Sequence, residues 1–140
     1  MAERPTIAYG FFCEFVRAEE QGKTSVLGLW GRRCILWGTP PATLPNLGLH
    51  VYIFNPDQAD CRGRLRITLP GDAPPPAEID FDLPQQPGLV GHNLNFNLAG
   101  LTVQGESKIE ANVTLTTTPP TEATFVLEFV FRPRPSLPPT

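Results

Sequence analysis

Residues 7–31 read IAYGFFCEFVRAEEQGKTSVLGLWG, and their reading decides the fold. Successive side chains of a strand point to opposite faces, so Ile7, Tyr9, Phe11, Cys13 and Phe15 form one apolar row, expected to be a core face. The charged, turn-forming run from Arg17 to Lys23, with Gly22 free to take positive φ, precedes a second apolar run that begins at Val26. This predicts a β-hairpin. Its register sets Leu27 opposite Phe15 and Leu29 opposite Cys13 on the core face, and Val26 opposite Val16 and Trp30 opposite Phe12 on the other.

That other face is apolar where a two-layer protein ordinarily shows polar residues to water. Burying four such side chains is worth on the order of 1.5 to 3 kcal/mol each, so something is expected to cover Phe12, Val16, Val26 and Trp30. The cover is a segment of the same chain, a second copy or another protein. The expectation chosen is an interface between molecules centred on Trp30, with Phe12, Val16 and Val26 in the patch and Glu14 and Arg32 at its rim.

Outward from the hairpin, Cys34 to Trp37 leads into GTPPATLPN, whose prolines predict a long connection. Leu47 to Phe54, Arg62 to Leu69, Ala77 to Leu83, Val90 to Leu98, about Glu106 to Thr116, and Ala123 to Phe131 alternate as strands. Apolar matching pairs Leu65 with Phe81 and Ile67 with Ile79, and in the last hairpin Ile109 with Phe129 and Ala111 with Leu127. No apolar pattern holds a helical period. The fold expected is an all-β, antiparallel eight-stranded β-sandwich, immunoglobulin-like or C2-like, with barrel closure as the alternative. Residues 1–131 form its single domain and the proline-rich residues 132–140 a mobile tail.

With 140 residues, a formal charge of −3 and a pI near 5.3, the chain gives no electrostatic reason to bind nucleic acid or an anionic membrane. No apolar run reaches the roughly 20 residues of a spanning helix, and MAERPT does not open a signal peptide. A cytoplasmic protein is expected. Three cysteines at irregular spacing are no disulfide framework, so Cys13, Cys34 and Cys61 are expected as free thiols.

The stretch FCEFVRAEEQGKTSVLGL, Phe12 to Leu29, followed by PPATLPNL, Pro40 to Leu47, and by NLAGL, Asn97 to Leu101, resembles an uncharacterised bacterial family of small single-domain β-sandwich proteins. The chain departs from that pattern at Gly105-Glu106-Ser107, where the family tends to an aromatic, and at TTTPPTE, where a tight Asp-Gly turn is usual. The resemblance implies the fold and a bacterial origin. It brings no activity or catalytic residue.

Nucleophilic catalysis needs a Ser, Thr or Cys beside a base, and the only histidines are His50 and His92. There is no G-x-S-x-G elbow and no phosphate-cradling glycine motif. A zinc site from Cys34, His50, Cys61 and His92 lacks the usual close spacing. Asp57, Asp60, Asp80 and Asp82 raise a calcium reading. The middle hairpin argues against it, since its register sets Arg66 opposite Asp80 and Arg64 opposite Asp82 as an exposed charge ladder. Asn93, Asn95 and Asn97 form an outward amide row, either solvated or available to a sugar or peptide. Arg132, Pro135 and Pro138 fit the spacing of a basic polyproline ligand, or a plain tail. No catalytic, cofactor-binding or metal-ligating residue is therefore assigned.

The function expected is a non-catalytic protein-interaction module or small structural subunit, bound to a protein partner or to itself as a homodimer. The alternative is a small hydrolase or ligand-binding β-sandwich protein whose site the fold assembles.

Overall fold

A computed structural model describes residues 4–19, 23–57, 60–71, 75–83, 88, 90–117 and 119–135. Its nine strands are β1 (Thr6–Ala18), β2 (Thr24–Leu29), β3 (Arg33–Trp37), β4 (Ala42–Phe54), β5 (Cys61–Thr68), β6 (Ala77–Leu83), β7 (Gly91–Val103), β8 (Ser107–Leu115) and β9 (Thr121–Arg132), and no helix occurs among the described residues. One sheet has the order β2-β1-β4-β7 and the other β3-β9-β8-β5-β6. A single apolar cluster draws on both, with Phe12, Leu47, Leu49, Val51, Ile53 and Val103 from the first and Leu65, Ile109, Val113, Leu115, Leu127 and Phe129 among those from the second.

The ninth strand corrects the expected count of eight. Arg33 to Trp37 pairs parallel to β9, with Cys34 beside Phe129 and Leu36 beside Phe131. The proline-rich connection shrinks to Gly38–Pro41, and β4 starts at Ala42. Pro45 sits inside β4 without breaking it. Proline has no N–H for the ladder, and here the paired residues Leu44↔Leu101 and Asn46↔Ala99 flank Pro45 and Gly100, the latter at φ +67°. The irregularity changes the phase of the alternation, so that Leu44, Leu47, Leu98 and Leu101 all reach the core although two residues separate the leucines of each pair.

A bulge does the same to β1, and it turns Phe12 inward and Tyr9 outward. The β1–β4 register shifts between Ile7, opposite Ile53, and Tyr9, opposite Tyr52. One inserted residue moves every later side chain to the other face. Ile7 points to the core, Phe12 points there too at 3% exposure, and Tyr9 is 50% exposed on the outside. The cross-strand partners Cys13↔Leu29, Phe15↔Leu27 and Val16↔Val26 are those expected, and the Trp30 N–H donates to the Phe12 carbonyl at 2.9 Å.

The other two hairpins keep their expected faces but slip by two residues. Phe81 faces Gly63 and Ile79 faces Leu65, so Arg62, Arg64 and Arg66 face Asp82, Asp80 and Glu78. In the last hairpin Ile109 faces Leu127 and Ala111 faces Phe125. Arg132 ends β9 rather than opening a tail, and residues 136–140 lie outside the described residues.

Candidate functional site

Beyond the bulge, the outward face of β1 carries Tyr9, Phe11 and, at the Cys13 level, Leu29 of β2. Leu27 and Leu29 are 56% and 65% exposed, the most exposed large apolar residues of this hairpin, and Phe15 opposite Leu27 is half-buried. Tyr9 stacks on Tyr52 with centroids 5.3 Å apart, and on Phe11 at 6.1 Å. His50 fills the space beneath, 5.2 Å from the Phe11 ring. Of the row expected to be core, Tyr9 is exposed, Phe11 and Phe15 are half-buried, Ile7 packs against the core and Cys13 is buried.

The far end of the hairpin is held down onto its own sheet. After Cys13↔Gly48 the β1–β4 ladder stops. From β7, the Asn97 side chain then donates to the Val16 carbonyl at 2.8 Å and accepts from the Val16 N–H at 3.0 Å. A side chain at Gly48 would prevent this: a Cβ there would lie 2.8 Å from Cys13 Sγ and 3.0 Å from Val16 N. Beside this clasp, His50 Nδ1 lies 2.7 Å from Asn95 Oδ1, which requires the proton on Nδ1. The Asn95 amide donates to Thr24 Oγ1 at 3.4 Å. Asn95 and Asn97, expected as a ligand-facing or solvated row, thus fasten the hairpin instead.

Phe12 and Val16, at 3% and 2% exposure, are buried within the chain and are not available to a partner, which corrects their place in the expected interface. Val26 is half-buried, and Glu14 and Arg32 are exposed. Trp30 packs against the core, and its indole N–H is buried with no acceptor. It lines a hollow of about 420 Å³ with Phe11, Leu29, Arg32, Phe125 and Val126. Of the six residues singled out from sequence, Phe12, Trp30 and Arg32 meet here beside the exposed Leu29. The missed residues Leu27, Leu29 and Tyr9 were visible as apolar positions, but the bulge hid their direction.

The remaining candidates fall apart. Cys13, Cys34 and Cys61 are free and buried, and burial raises each thiol pKa, that of Cys34 to about 11. No group of three or more His, Cys, Asp or Glu side chains suited to a metal occurs among the described residues. Asp80 Oδ1 lies 2.7 Å from Arg64 Nε, and that hydrogen bond holds its carboxyl below the usual range. Asp82 is 3.3 Å from Arg62. His92 is buried, which lowers its pKa, and it lines a hollow of about 270 Å³ with Glu19, Lys23, Thr24 and Asp82. Glu19 is already bonded to Arg17 and Ser25. A hollow of about 830 Å³ opens between Trp37–Ala42 and Phe131–Arg134, with Trp37 54% exposed opposite Arg132. No described helix is long and apolar enough to cross a membrane.

No family model, no curated protein and no solved structure matches the chain.

Proposed function

We propose that the chain is a non-catalytic protein-interaction module of the bacterial β-sandwich family it resembles. Its two sheets stack as a sandwich, it works in the cytoplasm, and it presents the outward face of the first hairpin to a protein partner. The observation that carries this reading is the exposure of Leu27 and Leu29, 56% and 65%, on a hairpin fastened to its sheet by side-chain hydrogen bonds. Covering each leucine is worth on the order of 1.5 to 3 kcal/mol, and a fastened hairpin loses little conformational freedom on binding. The exposed Arg32 guanidinium beside Leu29 suits a partner that brings acceptors to the rim of an apolar contact.

A second reading, a ligand-binding protein or small hydrolase, draws on the His92 hollow, whose two carboxylates already hold other partners. Trp30 packs against the core, so a charge there disturbs folding as well as binding. The informative variant is Leu27→Glu/Leu29→Glu. Immobilised wild-type chain should retain a stoichiometric protein from an extract of the native cells, and the variant, folded by circular dichroism, should lose it. Equal retention by both proteins, or none by either, contradicts the reading.

A further inference from the structure

The sheet edges differ in how far they are protected. β6 carries Glu78, Asp80 and Asp82, and β2 is interrupted at Gly28, at φ +63°, between the paired residues Leu27 and Leu29. β7 shares a hollow at Gly91–Asn95 with Glu19, Thr24 and Asp82, and its Asn95 and Asn97 side chains are already bonded to His50, Thr24 and Val16. Charge, irregularity and cover all keep an edge from pairing with another chain. β3 has only its brevity, five residues, and it turns Ile35 and Trp37, 45% and 54% exposed, to the outside.

Its backbone groups can be assigned. The Glu128 N–H donates to the Arg32 carbonyl at 2.9 Å, and the Gly38 N–H donates to the Arg132 carbonyl at 2.8 Å. Along a strand of a parallel pair, one residue turns its N–H and C=O to the neighbour and the next turns them away. Cys34 and Leu36 therefore bond to β9, in step with Arg32 and Gly38, and Arg33, Ile35 and Trp37 direct their backbone groups to the open edge. Among the described residues no hydrogen bond reaches those groups.

We propose that β3 pairs with the β3 of a second copy of the chain, antiparallel across a two-fold axis at Ile35, so that the two five-stranded sheets become one. The residues with open backbone groups are the ones such an axis needs. Ile35 meets Ile35 and Arg33 meets Trp37, and an antiparallel ladder is hydrogen-bonded at every second residue. The same three side chains share the outer face. Ile35 covers Ile35, and each Arg33 guanidinium comes to the Trp37 indole of the other copy, whose ring face attracts a cation. Arg33 Nε is held by Glu128 at 3.4 Å, which leaves the faces of the guanidinium for stacking. Glu128 beside Arg33, and Glu106 on the Arg132 next to Trp37 at 3.6 Å, balance the cations of the contact. On the inward face Cys34 meets Leu36, which is half-buried within one copy. An unrelated strand would have to bring an apolar centre with a cation at one end and an aromatic at the other; a second copy brings them by symmetry. The edge shares no residue with the Leu27–Leu29 face of the proposed function, so the two surfaces fail or stand separately.

Sedimentation velocity on the whole chain tests this. So short an edge buries less than a standard interface, and wild-type protein should dimerise at high micromolar concentration. Ile35→Lys sets two lysines against each other on the axis and should weaken the dimer at least about tenfold. Trp37→Arg opposes a second cation to Arg33 and should do the same, whereas Trp37→Glu offers Arg33 a carboxylate and should dimerise more tightly than Trp37→Arg. Leu27→Glu/Leu29→Glu should leave the dimer intact. Hydrogen exchange needs no variant: the amides of Arg33, Ile35 and Trp37 should be protected in concentrated wild-type protein and lose protection on dilution, while those of Cys34 and Leu36, bonded to β9, stay protected at both. A wild type that is monomeric throughout this range, a dimer indifferent to Ile35→Lys, equal weakening by the two Trp37 variants, or edge amides unprotected at every concentration overturns the proposal, as does a dimer that only the leucine variant dissociates.

Discussion

The Asn97 side chain takes both backbone groups of Val16, accepting from its N–H at 3.0 Å and donating to its carbonyl at 2.8 Å. It does so across Gly48, its own cross-strand partner, at the level where β1 leaves the β4 ladder. One amide side chain thereby stands in for a missing β-bridge and fixes the half of the hairpin that carries Leu27.

Asn97→Ala should destabilise the fold by about 1 to 3 kcal/mol, the sum of two ordinary hydrogen bonds, one on each Val16 group. Denaturant titration reads the loss, and exchange of the Val16 amide should quicken more than that of Phe12. Gly48→Ala should cost about as much by overpacking, because its methyl meets the Val16 backbone and not only mobile side-chain ends. The two changes disturb one contact, so their effects should fall short of additive in the double variant.

The first hairpin was legible as far as its register and illegible in its faces, for one reason. Cross-strand partners follow from the turn, whose charged residues are plain in the sequence. Facing depends on every residue between, and a bulge at Ala8 leaves no glycine or proline to mark it. The slips in the other hairpins come from the loops PGDAPPP and TTTPPTE: a slip of two preserves which face is apolar, so alternation cannot detect it. β3 was hidden because its parallel partner β9 lies some ninety residues downstream. The amide row was visible, but its targets, Val16 and Thr24, are set by tertiary folding.

His92 should give the protein an acid-side weakness. Burial holds its folded-state pKa below the ordinary value near 6.5, so the unfolded chain takes up a proton that the folded chain refuses. The stability is complete above the unfolded pKa and is lost as pH falls through that value toward the folded one. His92→Gln should flatten the dependence of unfolding free energy on pH in this window. The depressed Asp80 carboxyl acts separately, its contribution being lost only at lower pH, in the carboxylate range.

The three thiols should be silent in the folded protein. All are buried with raised pKa values, and the thiolate is the reactive form. Ellman's reagent should find three equivalents after unfolding without reductant, released in one phase with global unfolding. A fast-reacting thiol in native protein would mean that the clasp over Cys13 opens readily.

Hydroxyl-radical footprinting of the native, unliganded chain tests the central claim most directly, since it reads which face of the first hairpin meets water. Tyr9, Leu27 and Leu29 should be modified readily, and Phe12 and Val16 should be protected until the protein unfolds. Protection of Leu27 and Leu29 in monomeric protein, with Phe12 modified, would contradict the account and remove the surface on which the proposed function rests.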